Sequence, residues 1–96
     1  MSELEQIKKI IKKNKEYVKK KYFVKKIGVF GSYTTGKEGS ESDVDILVEF
    51  DGPIGWDFVE LKDFLETILN KKVDLVSIKA LKSQIKDNIL NEVIYI

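Results

Sequence analysis

Asp43 and Asp45 flank Val44 in the run Ser42-Asp43-Val44-Asp45-Ile46-Leu47-Val48-Glu49-Phe50. The β-branched and apolar residues of that run predict a strand beginning near Asp43. Alternate strand residues share a face, with Cα atoms roughly 6.6 Å apart, so two carboxylates spaced this way can converge on one hard cation. Asp74 interrupts a second apolar run, Val73-Asp74-Leu75-Val76, in the same manner, and joins the pair if the two strands are neighbours. Three carboxylates on one sheet edge repel one another. A divalent ion such as Mg²⁺ relieves that repulsion, because it takes a few carboxylates together with substrate phosphate oxygens. The residues alone also allow a plainer account, with Asp43 a turn residue and Asp45 facing water. Asp74 fits that account less well, since an unpaired carboxylate inside an apolar strand is costly.

Upstream, Ile27-Gly28-Val29-Phe30 is a short apolar run that ends at Gly31-Ser32. A strand that closes on Gly-Ser and opens a short helical turn exposes backbone N–H groups to phosphate oxygens, with the Ser32 hydroxyl as a further donor. By itself the dipeptide is equally an ordinary turn. Gly31 to Lys37 also matches most of a P-loop, G-x-x-x-x-G-K, but Glu38 follows where that motif needs Ser or Thr for Mg²⁺. Gly39 and Ser40 would break the long helix that a P-loop feeds. The P-loop reading is rejected.

The composition narrows the chemistry. Ninety-six residues suit one domain spanning 1–96, and 43% hydrophobic with 34% charged residues describes a globular chain. There is no Cys, hence no disulfide framework or thiolate metal site, and no His, hence no imidazole zinc site and no histidine acid–base catalysis. Any metal must be held by oxygen. No apolar run approaches the ~20 residues of a membrane span, and the lysine-rich start lacks a signal peptide's apolar stretch, so the expected location is cytoplasmic. The net charge of +1 conceals an asymmetry: residues 1–30 hold ten Lys against three Glu, and residues 31–96 hold seven Lys against thirteen acids. All basic residues are Lys; Arg is absent.

The elements that must position these residues follow from periodicity. Ser2 and Glu5 have capping-box spacing, and Leu4, Ile7, Ile11, Val18 and Tyr22 recur at helical intervals, predicting one amphipathic helix to the first strand. That strand covers Ile27–Phe30 and extends back towards Phe23. A single helical turn fits near Ser32–Gly36. Asp51-Gly52-Pro53 is a turn, and Phe58, Leu61, Leu65 and Ile68 space out a second amphipathic helix. Val73–Val76 forms the third strand, and Leu81, Ile85 and Ile89 a last helix; the tail Val93–Ile96 is too short and apolar to classify, with an edge strand and a partner-docking segment both open. The order αβ(short α)βαβα predicts an α/β (α+β) domain, a small mixed three-stranded sheet flanked by helices. The helix between strands two and three permits a parallel crossover, and the shorter link between strands one and two suits an antiparallel pair.

Together these pieces resemble the nucleotidyltransferase superfamily of DNA polymerase β. Within it they are most similar to the minimal nucleotidyltransferase (MNT) family, the antitoxins paired with HEPN-domain toxins. Gly28-Val29-Phe30-Gly31-Ser32-Tyr33-Thr34-Thr35-Gly36, followed by Ser42-Asp43-Val44-Asp45, follows that family's G-S-x-x-x-G…S-D-x-D pattern. Asp74 falls where its third carboxylate is expected. The resemblance implies a polymerase-β-like core in which Asp43, Asp45 and Asp74 are both catalytic and metal-binding and hold two Mg²⁺ ions. It implies Gly31, Ser32, Lys37 and Ser42 as nucleotide-binding residues for ATP. Many relatives carry Arg before the second glycine, where this chain has Thr35; Lys37 offers charge there without a guanidinium fork. The implied activity is transfer of AMP from ATP to a tyrosine of a cognate HEPN RNase toxin, which silences it. Two other readings stay open: an antitoxin that masks its toxin without catalysis, and a nucleotidyltransferase acting on RNA or a small molecule.

The lysines of the first helix, Lys8, Lys9, Lys12, Lys13, Lys15, Lys19, Lys20 and Lys21, could grip a polyanion or an acidic partner. Helical periodicity explains most of them as a solvated face, so nucleic acid is not among the expected partners. Tyr17 and Tyr22 read as edges of the helix's apolar stripe, and Trp56, Phe58 and Phe64 as core.

Overall fold

The structure, a computed structural model, describes residues 2–35 and 43–96. The first helical stretch divides in two. Helix α1 (Glu3–Lys13) begins where the Ser2 hydroxyl accepts the Glu5 N–H at 3.2 Å. It stops at Asn14, whose side-chain amide donates to the Ile10 carbonyl at 2.9 Å. Asparagine competes with the helix ladder in this way, so the single predicted helix becomes α1 and α2 (Lys15–Tyr22). Phe23 then takes a left-handed conformation, φ 57°, and turns the chain into strand β1 (Val24–Phe30).

A four-residue helix α3 (Ser32–Thr35) follows, then β2 (Val44–Phe50), α4 (Asp57–Leu69), β3 (Val73–Ser77), a 3-10 turn at Ile78–Ala80, α5 (Ser83–Glu92) and β4 (Ile94–Tyr95). The sheet runs β3-β2-β1-β4. As expected, β1 and β2 are antiparallel, and α4 carries the chain across to a parallel β3. The fourth strand adds to the three predicted. It pairs antiparallel with β1 at Gly28↔Tyr95 and Val29↔Ile94, and the Ile96 N–H donates to the Ile27 carbonyl. Two ladder residues are below what periodicity can detect.

The two sheet faces have different tasks. Val44, Ile46, Val48 and Phe50 of β2 join Ile27, Val29, Val73 and Leu75 against the apolar sides of α1, α2 and α4, in one cluster that includes Ile7, Ile11, Val18, Tyr22, Leu61 and Leu65. The alternate residues, with period two, point the other way: Phe30 on β1, Asp45 on β2 and Asp74 on β3 share that second face by register. Tyr22 belongs to the core, whereas Tyr17 stays half exposed with its ring centroid 4.9 Å from that of Phe64. Phe58 and Phe64 pack against the core as expected. Trp56 does not: it is 87% exposed, because it precedes the first turn of α4 instead of lying on its inner side. Among the described residues no helix is long and apolar enough to cross a membrane.

Gly28 is where β4 depends on a missing side chain. A Cβ there would lie 2.8 Å from Val93 Cγ2 and 2.9 Å from the Ile94 carbonyl oxygen. Gly28→Val should expel β4 from the sheet edge at a cost of roughly 1–3 kcal/mol. Chemical denaturation measures the loss, and hydrogen exchange should accelerate at the Ile96 amide while core amides of β2 stay protected.

Candidate active site

Parallel pairing of β2 with β3 begins where the Val44 N–H donates to the Lys72 carbonyl at 2.9 Å, and it continues through Val44↔Val73 to Asp45↔Asp74. The two aspartates therefore stand side by side on adjacent strands, whose spacing is about 4.8 Å. The register is held from the α4 side by Glu66, whose carboxylate accepts the Val73 N–H at 2.9 Å. Asp43 sits one residue before β2, exposed, on the same side as Asp45 by alternation. Asp74 is exposed as well, so the cost of burial that its sequence context suggested falls on Asp45 instead.

Asp45 is half-buried, and its carboxyl is raised from the ordinary 3.8 to about 6. Desolvation is the largest cause, followed by repulsion from Asp74, Asp43 and Glu92, and by a side-chain hydrogen bond to Asp74.

Phe30 is the β1 partner of Asp45, so the turn after β1 opens beside that carboxylate. Gly31 adopts φ +78°, and a Cβ on it would collide with Asp45 Oδ2. Only glycine suits a position that combines a left-handed backbone with so close an approach. The Gly31 carbonyl accepts from the Thr34 N–H at 3.0 Å and the Thr34 hydroxyl at 2.8 Å, closing α3. Tyr33 anchors that short helix from below. It is 2% exposed, and its phenol is pushed up by burial and by a hydrogen bond to Glu3, which also pairs with Lys71 at 3.5 Å. Ser32 is thereby presented, partly exposed, at the start of α3.

Asp43, Asp45, Asp74, Gly31 and Ser32 are thus gathered at one end of the second sheet face. Gly36, Lys37 and Ser42, which the motif also names, lie outside the described residues. One acid of this site escaped the sequence reading. Glu92, the last residue of α5, accepts the Gly31 N–H at 2.9 Å and contributes to the repulsion on Asp45. Its signal was a carboxylate three residues after Ile89 and seven after Ile85, on the stripe that should have been apolar throughout.

The donor set is all hard oxygen, and its mutual repulsion calls for a small divalent cation, not a soft metal. Among the described residues no group of three or more acids is close enough to enclose an ion with protein ligands alone. An ion here would complete its shell from phosphate oxygens and water, as Mg²⁺ does. The residues fit that ion.

Comparison with known proteins agrees with this geometry. The family model for the nucleotidyltransferase domain matches residues 6–96. The chain belongs to that family. It is 43% identical over 97 residues to the protein adenylyltransferase MntA of Thermococcus cleftensis, covering 100% of this chain and 98% of that relative. In fold it is similar to a toxin–antitoxin complex with AMP-PNP, at a TM-score of 0.70 and 24% identity over 99% of this chain and 72% of that one. A complex of the tri-AMPylated HEPN toxin of Shewanella oneidensis with MNT antitoxin gives a TM-score of 0.62 and 21% identity, covering 97% of this chain and 67% of that one.

Two cavities lie on a different part of this nucleotidyltransferase domain. One, of about 470 Å³, is lined by Glu5, Lys8, Lys9, Lys12, Tyr95 and Ile96; the other, of about 230 Å³, by Lys15, Lys25, Lys26, Ile27, Tyr95 and Ile96. They flank the β4 edge, with Lys26 Nζ 5.5 Å from the Tyr95 ring centre. The chemistry is decided by which groups converge, not by how much space they line.

The raised carboxyl of Asp45 gives a test without substrate. Below pH 3.8 the group is protonated in both folded and unfolded chains and has no effect on stability. Between there and about 6 the unfolded chain ionises first, so folding loses stability as pH rises, and the penalty is complete above 6. Asp45→Asn should therefore raise the thermal midpoint at pH 7 in chelator and leave it nearly unchanged at pH 3.5. The gain should shrink when Mg²⁺ is added, and differential scanning fluorimetry reads all three conditions.

Proposed function

We propose that this nucleotidyltransferase is a protein adenylyltransferase of the MNT antitoxin type. In this reading it transfers AMP from ATP to a tyrosine of a HEPN RNase toxin in the cytoplasm, acting as a single domain. The observation that carries the reading is the Asp45–Asp74 register pair standing beside the Gly31–Ser32 turn. Adenylyl transfer needs a site for phosphates next to a site for divalent cations, and these two features are adjacent. The likeness to MntA of Thermococcus cleftensis along the full chain supports the choice of AMP as the group moved. The likeness in fold to MNT–HEPN complexes supports the choice of partner.

In this mechanism Asp43, Asp45 and Asp74 would hold two Mg²⁺ ions. When bound, the ions neutralise the carboxylates and stabilise the attacking and leaving oxygens of an in-line displacement. Ser32 and the α3 turn, with Lys37 and Ser42, orient the triphosphate so that its α-phosphorus faces the acceptor. Gly31 shapes the turn, and its own amide is already committed to Glu92. The tyrosine hydroxyl oxygen forms the new bond to the α-phosphorus, the bond to the β-phosphate oxygen breaks, and pyrophosphate leaves. The phenolic proton passes to the Asp74 carboxylate, which is exposed and so reachable by a protein acceptor. Histidine has no part in the scheme, in keeping with its absence from the chain.

Purified protein, Mg²⁺, α-labelled ATP and a HEPN-type toxin from the same source should yield a labelled HEPN subunit. Asp43→Asn or Asp45→Asn should reduce labelling at least a hundredfold, a loss of about 2.7 kcal/mol or more in transition-state stabilisation, with circular dichroism unchanged. Neutralisation of the RNase that persists in both variants, with no labelling by the wild type, would instead establish masking without catalysis. Label in RNA and none in protein would redirect the acceptor assignment.

A further inference from the structure

Four acids influence the site, and the transfer scheme employs three. We propose that the fourth, Glu92, is a positioning residue: its carboxylate fixes the Gly31–Ser32 turn in the conformation that receives nucleotide phosphates. The proposal rests on the nucleotidyltransfer reading and extends it to the far end of the chain.

The argument starts from strand register. β4 pairs with β1 at Val29↔Ile94 and Gly28↔Tyr95, antiparallel. Continuing that register by two residues sets position 92 opposite position 31. The main chain cannot continue the ladder, because residue 92 is the end of α5 and the Val93 N–H is turned back to the Ile89 carbonyl at 2.9 Å. The Glu92 side chain takes over where the backbone leaves, and accepts the Gly31 N–H that the next ladder bond would have taken.

The turn needs such a restraint. Glycine at φ +78° is the residue least able to hold its own backbone, and the Asp45 carboxylate presses against its open side. A charged acceptor orients an amide more firmly than a neutral one. Residues 31 and 92 are 61 apart in sequence, so nothing local makes the contact. Placing a carboxylate within reach of Asp45 also raises the repulsion at the site.

Two variants, Glu92→Ala and Glu92→Gln, separate positioning from packing. Binding of a fluorescent, non-hydrolysable ATP analogue with Mg²⁺ should weaken on the order of tenfold in Glu92→Ala and stay within about threefold of wild type in Glu92→Gln, whose amide oxygen still accepts the bond. In the transfer assay the loss in Glu92→Ala should appear mainly in KM for ATP. Unchanged affinity in Glu92→Ala would overturn the proposal. Tighter binding would also overturn it, by showing that Glu92 obstructs the phosphate site, and so would a Glu92→Gln protein as impaired as Glu92→Ala. If the wild type binds no nucleotide, the nucleotidyltransfer reading is what fails. Exchange of the Gly31 amide in nucleotide-free protein, followed by NMR, then decides the positioning separately: it must accelerate in Glu92→Ala and remain slow in Glu92→Gln, and equal rates in all three proteins would refute it.

Discussion

Parallel pairing of β2 with β3 sets Asp45 against Asp74, and the molecule is arranged around the repulsion this creates. Burial of Asp45 first, and then the like charges beside it, raise its carboxyl to about 6. The pairing could be avoided by a one-residue slip, but a slip would send Val44, Ile46 and Val48 out of the core. Those three residues are essentially inaccessible to water. The hydrophobic face therefore enforces the electrostatic conflict on the opposite face. A strand free to slip would simply part the two carboxylates.

The same division explains how so short a chain supports chemistry at all. α1, α2 and α4 cover one side of the sheet, and their buried residues pack there against those of β1, β2 and β3. The other side carries the carboxylates, the Gly31 turn and α5, which has no fully buried residue, together with the buried Phe30 and Leu47. The larger part of the core and the carboxylates are thus on opposite faces of the same sheet. Substitutions at the exposed acids Asp43 and Asp74 touch no part of that core.

Much of this was legible in the sequence. The alternation of β2, the single acid in β3 and the Gly-Ser after β1 each carry a short-range signal, and together they locate the site. The antiparallel and parallel pairings followed from the lengths of the two connections. The remainder depended on contacts that no local pattern encodes. Asn14 divides the first helix by a side-chain bond that competes with the ladder, although the apolar period runs through it undisturbed. β4 is two residues long and exists because Gly28 leaves room for it. Trp56 is exposed because it stands just before α4, where the helical period gives no guidance. Glu92 reached the site through strand register combined with a helix end, and its oddity on an apolar stripe was the only mark it left.

The Gly31–Glu92 hydrogen bond also has a temporal side. Asp45 and Asp74 are 29 residues apart in the chain, whereas Gly31 and Glu92 are 61 apart. Contacts of high sequence separation form late, because closing the intervening loop must come first. The sheet can collapse on its apolar face and bring Asp45 to Asp74 while the turn above them is still free to swing. The site is completed by one of its most distant residues. A chain without residue 92 would still carry the three aspartates and the Gly-Ser pair, yet lose the side chain that holds the Gly31 amide.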